Sequence, residues 1–255
     1  MTRGPFVESA RSMHPLLARL RKELAAAGSP RRARGAQAYM KSAMPFHGVG
    51  AVPLRAVCRR IFTGHPLLSA GAWRRDVLAI WRGAAFREER YAAIELTGDR
   101  RARGFQTMAA LPMYEEMIVT GAWWDLVDAL ATKRLGEILR AEPEPMRRAM
   151  LSWSRSADLW KRRSAILCQN RMGADTNLDF LYACIEPSLP SQEFFLRKAI
   201  GWALRQLAWW NPKEALRYVK ENETRLAGLS KREALINLTG RRRGGSKRQA
   251  KIAAR

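Results

Sequence analysis

Cysteine, histidine and acidic residues are all scarce in this 255-residue chain, and each scarcity removes a class of function. The three cysteines, Cys58, Cys168 and Cys184, lie far apart in no ligand-like spacing, which excludes a disulfide framework and a zinc cluster. They read as core thiols in a reducing compartment. The three histidines, His14, His47 and His65, stand apart beside Pro or Gly turns, where solvated or capping side chains are the simplest expectation. No phosphate-cradling Gly loop occurs. No apolar run of about 18 residues is long enough to span a bilayer, and residues 1–13 lack the apolar core of a secretion signal. A soluble, cytoplasmic protein needing neither metal nor other cofactor is expected, with a monomer as the default.

What the chain has in abundance is positive charge. Against 23 Asp and Glu stand 46 Lys and Arg, a formal net charge of +23 with a pI near 11.2. Residues 241–255 hold seven basic groups and no acid, so most of the excess belongs to the body of the chain; residues 1–75 alone hold fourteen Lys and Arg against Glu8 and Glu23. Such a field concentrates polyanions and implies binding that weakens steeply with salt. The composition is nonetheless globular, at 47% hydrophobic and 27% charged residues. A polyanionic partner and a merely well-solvated surface are the two readings that composition allows.

Proline and glycine cut the chain into short segments whose apolar positions recur at helical spacing, and no segment alternates as a strand would. Helices are predicted at 15–27, 30–43, 53–62, 71–82, 86–98, 107–119, 122–140, 145–155, 158–171, 177–185, 191–210, 213–222 and 230–237. This succession suits an all-α protein of stacked helical pairs, each burying its apolar face on its neighbours. Sequence periodicity is too weak to exclude a helical bundle. The expected organisation is an N-terminal extension (1–11), a helical domain (12–240) and a Gly-interrupted basic tail (241–255), disordered and open to polyanions.

The most informative residues are those whose chemistry contradicts their place on a helical wheel. In GAWWDLVD (121–128), Trp123, Leu126, Val127 and Leu130 form the apolar stripe, while Trp124 and Asp128 share a second face at i, i+4 spacing. An aromatic plate beside a carboxylate fits a binding surface; packing of Trp124 on a neighbouring repeat, with Asp128 solvated, fits as well. In DLWKRRSAILCQN (158–170), Arg163 falls inside the stripe of Leu159, Ile166 and Leu167, whereas Arg162 does not. A guanidinium there needs an anion or carbonyls. Asp128, a phosphate, or snorkelling to solvent would each satisfy it. In 191–210, Trp202 flanks the stripe of Leu196, Ile200, Ala203, Leu204 and Leu207, with Lys198, Arg205 and Trp209 on its polar side. That combination suits a sugar–phosphate backbone, although Trp209 and Trp210 serve equally well as packing residues.

Four segments carry a family resemblance: QAYMKSAMPFHGV (37–49), IVTGAWWDLVDAL (118–130), DLWKRRSAILCQ (158–169) and EFFLRKAIGWALRQLAWWNP (193–212). Over about residues 12–240 the chain resembles the bacterial AlkD-type DNA alkylation-repair glycosylases. The resemblance implies a HEAT-like solenoid with a concave basic face, duplex DNA containing alkylated bases as partner, a nucleoid-associated location, and monofunctional, cofactor-free excision of cationic alkylpurines such as 3-methyladenine and 7-methylguanine without base flipping. It further implies that Asp128 is the catalytic carboxylate, Arg163 its companion, and Trp124 and Trp202 aromatic walls at the lesion. Tyr39 matches a further cleft residue, and Lys198, Arg205 and Arg162 join it as candidate DNA contacts. The basic tail has no counterpart in the family, and of the Arg162–Arg163 pair one position alone should carry the role. A non-enzymatic binder of distorted DNA and a protein-interaction scaffold are the competing readings.

Overall fold

The computed structural model describes residues 13–238, so the N-terminal extension (1–11) and the basic tail (241–255) lie outside the described residues. Among those residues there is no β-strand, and the fold class is all-α, of helical-repeat type. The chain divides into two compact units, one ending at Gln106 and the other beginning at Thr107.

The N-terminal unit contains α1 (Pro15–Ala26), α2 (Pro30–Met40), α3 (Ala51–Thr63), α4 (Ala70–Gly83) and α5 (Arg87–Thr97), followed by a 3₁₀ segment (Arg100–Phe105). Proline opens α1 and α2, where a missing N–H costs nothing, and Ser29 and Ser69 accept from the first-turn amides of α2 and α4. The apolar stripes behave as their spacing requires. Leu16, Leu17, Leu20 and Leu24 of α1 are buried with Leu54, Val57, Ile61 and Phe62 of α3 and with Trp73, Val77, Ile80 and Trp81 of α4. Trp73 satisfies its indole N–H on the carbonyl of Leu96, at 3.3 Å. By contrast α2 buries Met40 alone and leaves its arginines and Tyr39 outward.

Two adjacent glutamates at the start of α5 organise the rest of this unit. Glu88 accepts from the amides of His47, Gly48 and Val49, and Glu89 accepts from Arg21, from the amides of Ala85 and Phe86, and from the His47 ring. Negative charge at a helix N-terminus is favoured by the unpaired amides there. His47 is therefore not solvated, as its turn setting suggests; it is buried, stacked on Phe86 at 3.9 Å. His14 and His65 both meet Asp76. Gly48 has φ +83°, and a Cβ there would lie 2.1 Å from the Ser29 carbonyl oxygen, so only glycine lets this loop close on the α1–α2 turn.

The C-terminal unit contains α6 (Leu111–Gly121), α7 (Trp124–Ala129), α8 (Gly136–Ala141), α9 (Pro143–Ser154), α10 (Leu159–Leu167), α11 (Leu178–Ile185), α12 (Phe194–Trp210), α13 (Pro212–Glu221) and α14 (Gly228–Leu235). Between α7 and α8 the predicted single helix 122–140 is interrupted by a π-helical segment (Leu130–Leu135). The Thr132 hydroxyl donates to the Asp128 carbonyl at 2.8 Å, pairing a backbone acceptor at the edge of this irregularity. Along α12 the small residue Gly201 permits close approach of α14; a Cβ would lie 2.5 Å from Cβ of Glu233. All three cysteines are free and buried, and burial pushes the Cys58 and Cys184 thiols up to about 12, as expected of core thiols.

Glu89 ties the N-terminal unit to pH. Burial pushes its carboxyl up, but the hydrogen bonds from Arg21, His47 and two amides outweigh burial and hold it at about 2. Since an unfolded glutamate titrates near 4.3, the folded value is depressed; the stabilisation is complete above about 4.3 and is lost as pH falls toward 2. Glu89→Gln should therefore lower Tm at neutral pH, with the difference from wild type shrinking across that window in pH-resolved thermal melts. A pH-independent difference would assign the loss to packing instead.

Candidate nucleic-acid site around Asp128

Trp123 ends the turn before α7 in extended backbone, and α7 begins at Trp124, so Trp123 is not part of the helical stripe expected for it. Its ring joins an aromatic cluster instead, 5.5 Å from Phe195 and 6.3 Å from Trp160 between centroids. Trp160 and Phe195 lie 5.0 Å apart. Trp124 and Asp128 stand one turn apart on α7 and both are half-buried, which preserves the shared face inferred from their spacing.

Asp128 is bound by Arg163 of α10 in a two-pronged pair, with Nε to Oδ1 at 2.7 Å and Nη2 to Oδ2 at 2.9 Å. Of the partners open to Arg163, the structure selects the carboxylate. The remaining guanidinium nitrogen donates to the carbonyl of Phe195, and the Phe195 ring lies 5.9 Å from the guanidinium carbon. Helix α10 packs against both α7 and α12, and Arg163 is the side chain that bridges them. It is 6% exposed while Asp128 is 16% exposed, so the pair is sheltered on the arginine side and reachable on the carboxylate side. Burial pushes the Asp128 carboxyl above its ordinary value; Arg163 opposes that rise, and nearby Asp125 adds to it.

Trp202 is half-buried on α12, two turns beyond Phe195 on the same face. Its cationic neighbours are not free. Lys198 and Arg205 both ion-pair with Glu233 of α14, at 2.9 and 2.8 Å, and fasten α12 to α14. Burial pushes the Glu233 carboxyl up, and the two cations more than reverse it. Arg162 likewise turns to the Ser188 hydroxyl and the Pro187 carbonyl, so of the adjacent arginines Arg163 alone meets Asp128. Tyr39 sits on α2 in the N-terminal unit, 77% exposed. Trp209 and Trp210 are exposed at the end of α12, with Trp210 covering Gly173.

Phe195 is the residue sequence reasoning missed. Phenylalanine at helical spacing reads as core, and a role for its backbone carbonyl leaves no trace in residue type. Nor could the aromatic cluster be foreseen, because it joins residues from three separated segments. No group of His, Cys, Asp and Glu that could hold a metal occurs among the described residues, and no described helix is long and apolar enough to cross a membrane.

Comparison with known proteins bears on the family and the fold. The family model described as "DNA alkylation repair enzyme" matches residues 20–238. A solved structure described as a predicted DNA alkylation repair enzyme from Enterococcus faecalis is similar to this chain at 26% identity and a TM-score of 0.75, covering 84% of this chain and 97% of its own. No curated protein sequence matches.

Replacing Arg163 by Met should strand the Asp128 carboxylate against buried surface and lower unfolding stability by about 3–5 kcal/mol. Adding Asp128→Leu to that variant should recover part of the loss in denaturant titrations. Additive losses would mean that the pair is not coupled.

Proposed function

Because the chain belongs to the DNA alkylation repair enzyme family, we propose that it hydrolyses the N-glycosidic bond of cationic alkylpurines in duplex DNA, with Asp128 as the catalytic carboxylate. One observation carries this reading: an ionisable carboxylate, aligned by a sheltered arginine, remains accessible on a helix face that also bears Trp124. A purely structural pair would not need its carboxylate exposed beside an aromatic face.

Alkylation at N3 of adenine or N7 of guanine places positive charge on the base. As the bond from the sugar C1′ to the base nitrogen breaks, its electron pair neutralises that charge and the base departs without protonation. The sugar is left oxocarbenium-like, and water adds at C1′ and releases a proton. Carboxylates stabilise such cations in glycoside hydrolysis. Asp128 supplies the negative charge and accepts or relays the water's proton. Trp124 and Trp202 face the developing cation with their rings, each contributing roughly 0.5–2 kcal/mol. Arg163 orients Asp128 and keeps it ionised against the pull of burial. The basic surface holds the backbone phosphates, and the lesion is attacked through the sugar rather than in a base-reading pocket, so cationic adducts are favoured over neutral ones. The partner is duplex DNA, and the chain acts without a cofactor.

Single-turnover excision of N7-methylguanine from duplex DNA tests the reading. Asp128→Asn should keep DNA affinity and lose about 10²–10³ in rate; undiminished excision would remove Asp128 from the chemistry. Trp202→Ala should weaken binding and excision together, each by a few-fold, in the same assay. The pH profile adds a second check, because the reaction needs the ionised carboxylate and the folded carboxyl titrates above its ordinary value. Activity should fall on the acid side at a pH above the ordinary aspartate value of about 3.9, and Arg163→Gln should move that limb higher still. A limb unmoved by this substitution would separate Arg163 from the state of Asp128.

A further inference from the structure

The N-terminal unit contains a groove of about 610 Å³ between the second half of α3 and the 3₁₀ segment that follows α5. Arg55 and Arg59, one turn apart on α3, line one side, and Arg100 lines the other. All three are exposed, and among the described residues their side chains make no hydrogen bond or ion pair. Several other arginines are instead held by a carboxylate. Arg21 is held by Glu89, Arg60 by Glu23, Arg163 by Asp128 and Arg217 by Glu214. Two guanidiniums at i, i+4 spacing repel one another and gain nothing from the shared face unless an anion lies between them.

The ends of α3 and α5 point carbonyls toward this region, and exposed carbonyls would repel an anion. At the end of α5 the carbonyls of Leu96 and Thr97 are already taken by Trp73 and Gln106, and Arg101 serves the end of α3. It donates to the carbonyls of Phe62 and His65 at 2.7 and 2.9 Å, and it grips Asp99 through Nε and Nη2 at 3.0 and 2.7 Å. One residue thus closes the end of α3 and neutralises one of the groove's two carboxylates. Glu95 is the other. Three unpaired arginines against one glutamate leave a local excess of cations around a depression whose volume falls in the usual range for ligand clefts, about 300–1,000 Å³.

We propose that this groove binds phosphate groups, with Arg55, Arg59 and Arg100 presenting their planar donor forks to the oxygens of a phosphodiester backbone. Guanidinium matches phosphate geometry in pairs of parallel hydrogen bonds, and contacts to phosphate oxygens carry no sequence information, so binding of this kind is independent of sequence. The site is built wholly within the N-terminal unit and does not rest on the reaction assigned to Asp128. Free phosphate esters share this chemistry with the DNA backbone.

The test uses the full chain with Arg55, Arg59 and Arg100 all changed to Gln, beside a charge-matched control in which Arg19 of α1, Arg148 of α9 and Lys220 of α13, all exposed and outside the groove, are changed to Gln. Affinity for undamaged duplex is measured as a function of salt, and Tm is measured with and without inorganic pyrophosphate at matched ionic strength. The groove variant should flatten the log affinity against log salt slope by about two to three, near one per lost contact, while the control changes it by less than one. That result assigns the groove to the DNA backbone. A slope like the control's, with pyrophosphate raising the Tm of wild type but not of the groove variant, assigns it to a free phosphate ester. If the slope matches the control's and pyrophosphate leaves the Tm of wild type unchanged, the site is overturned. Glu95→Gln, which removes the opposing carboxylate, should tighten whichever ligand binds by several-fold, a gain that damaged folding cannot mimic. These readouts involve no excision, so a failure of the Asp128 chemistry would leave them unchanged.

Discussion

The ion pair between Asp128 and Arg163 is the constraint around which the C-terminal unit is arranged. A guanidinium withdrawn from water needs partners, and here each of its three nitrogens has one, two on a carboxylate of α7 and one on a backbone carbonyl of α12. One side chain of α10 thereby fixes three helices relative to one another. The aromatic cluster of Trp123, Trp160 and Phe195 closes over the same junction with apolar surface, which strengthens the pair by excluding water on the arginine side. The π-helical segment begins two residues after Asp128, and Thr132 ties that irregularity back to the Asp128 carbonyl. Helix irregularities of this kind concentrate at functional sites.

A second constraint is the shortage of carboxylates. With two basic residues for each acidic one, each acid is worth more as a fastening than as a solubilising group, and several serve more than one partner. Glu88 gathers three amides, Glu89 an arginine, a histidine and two amides, and Glu233 both Lys198 and Arg205. Among the cations left over, two groups stand out. Arg55, Arg59 and Arg100 remain together around one groove, and the arginines of α2 remain on a helix that buries little else.

How much of this was legible in the sequence depends on whether the partner is local. The helices were readable because stripe, proline start and serine cap all act within a few residues, and Arg163 was readable because its wheel position contradicts its charge. The partners of Lys198 and Arg205 were not readable. Their position beside Trp202 looks like a phosphate-facing surface, yet α14 folds back over α12 at Gly201 and brings Glu233 between them. His47 illustrates the same limit, since its neighbours in sequence suggest solvent while Glu89 and Phe86, some 40 residues on, enclose it. Trp123 failed for a different reason: helical wheels assume a helix, and the backbone there is still extended. Residue type reports a side chain's needs, and tertiary structure decides who meets them.

The proposed reaction also explains why an arginine belongs beside the catalytic carboxylate. A surface that attracts phosphates repels a cationic base, so the sign of the field must reverse locally at the lesion. Asp128 can do this only while ionised, and its burial favours the neutral acid. Removing Arg163 would leave more room for negative potential in principle, but the carboxyl would then protonate more readily and the potential would vanish. Arg163 resolves the conflict because its own charge is spent on the sheltered side, with Phe195 taking its third donor, while the carboxylate stays reachable on the other. The pair is neutral overall and dipolar in effect, and its negative end is the more exposed one.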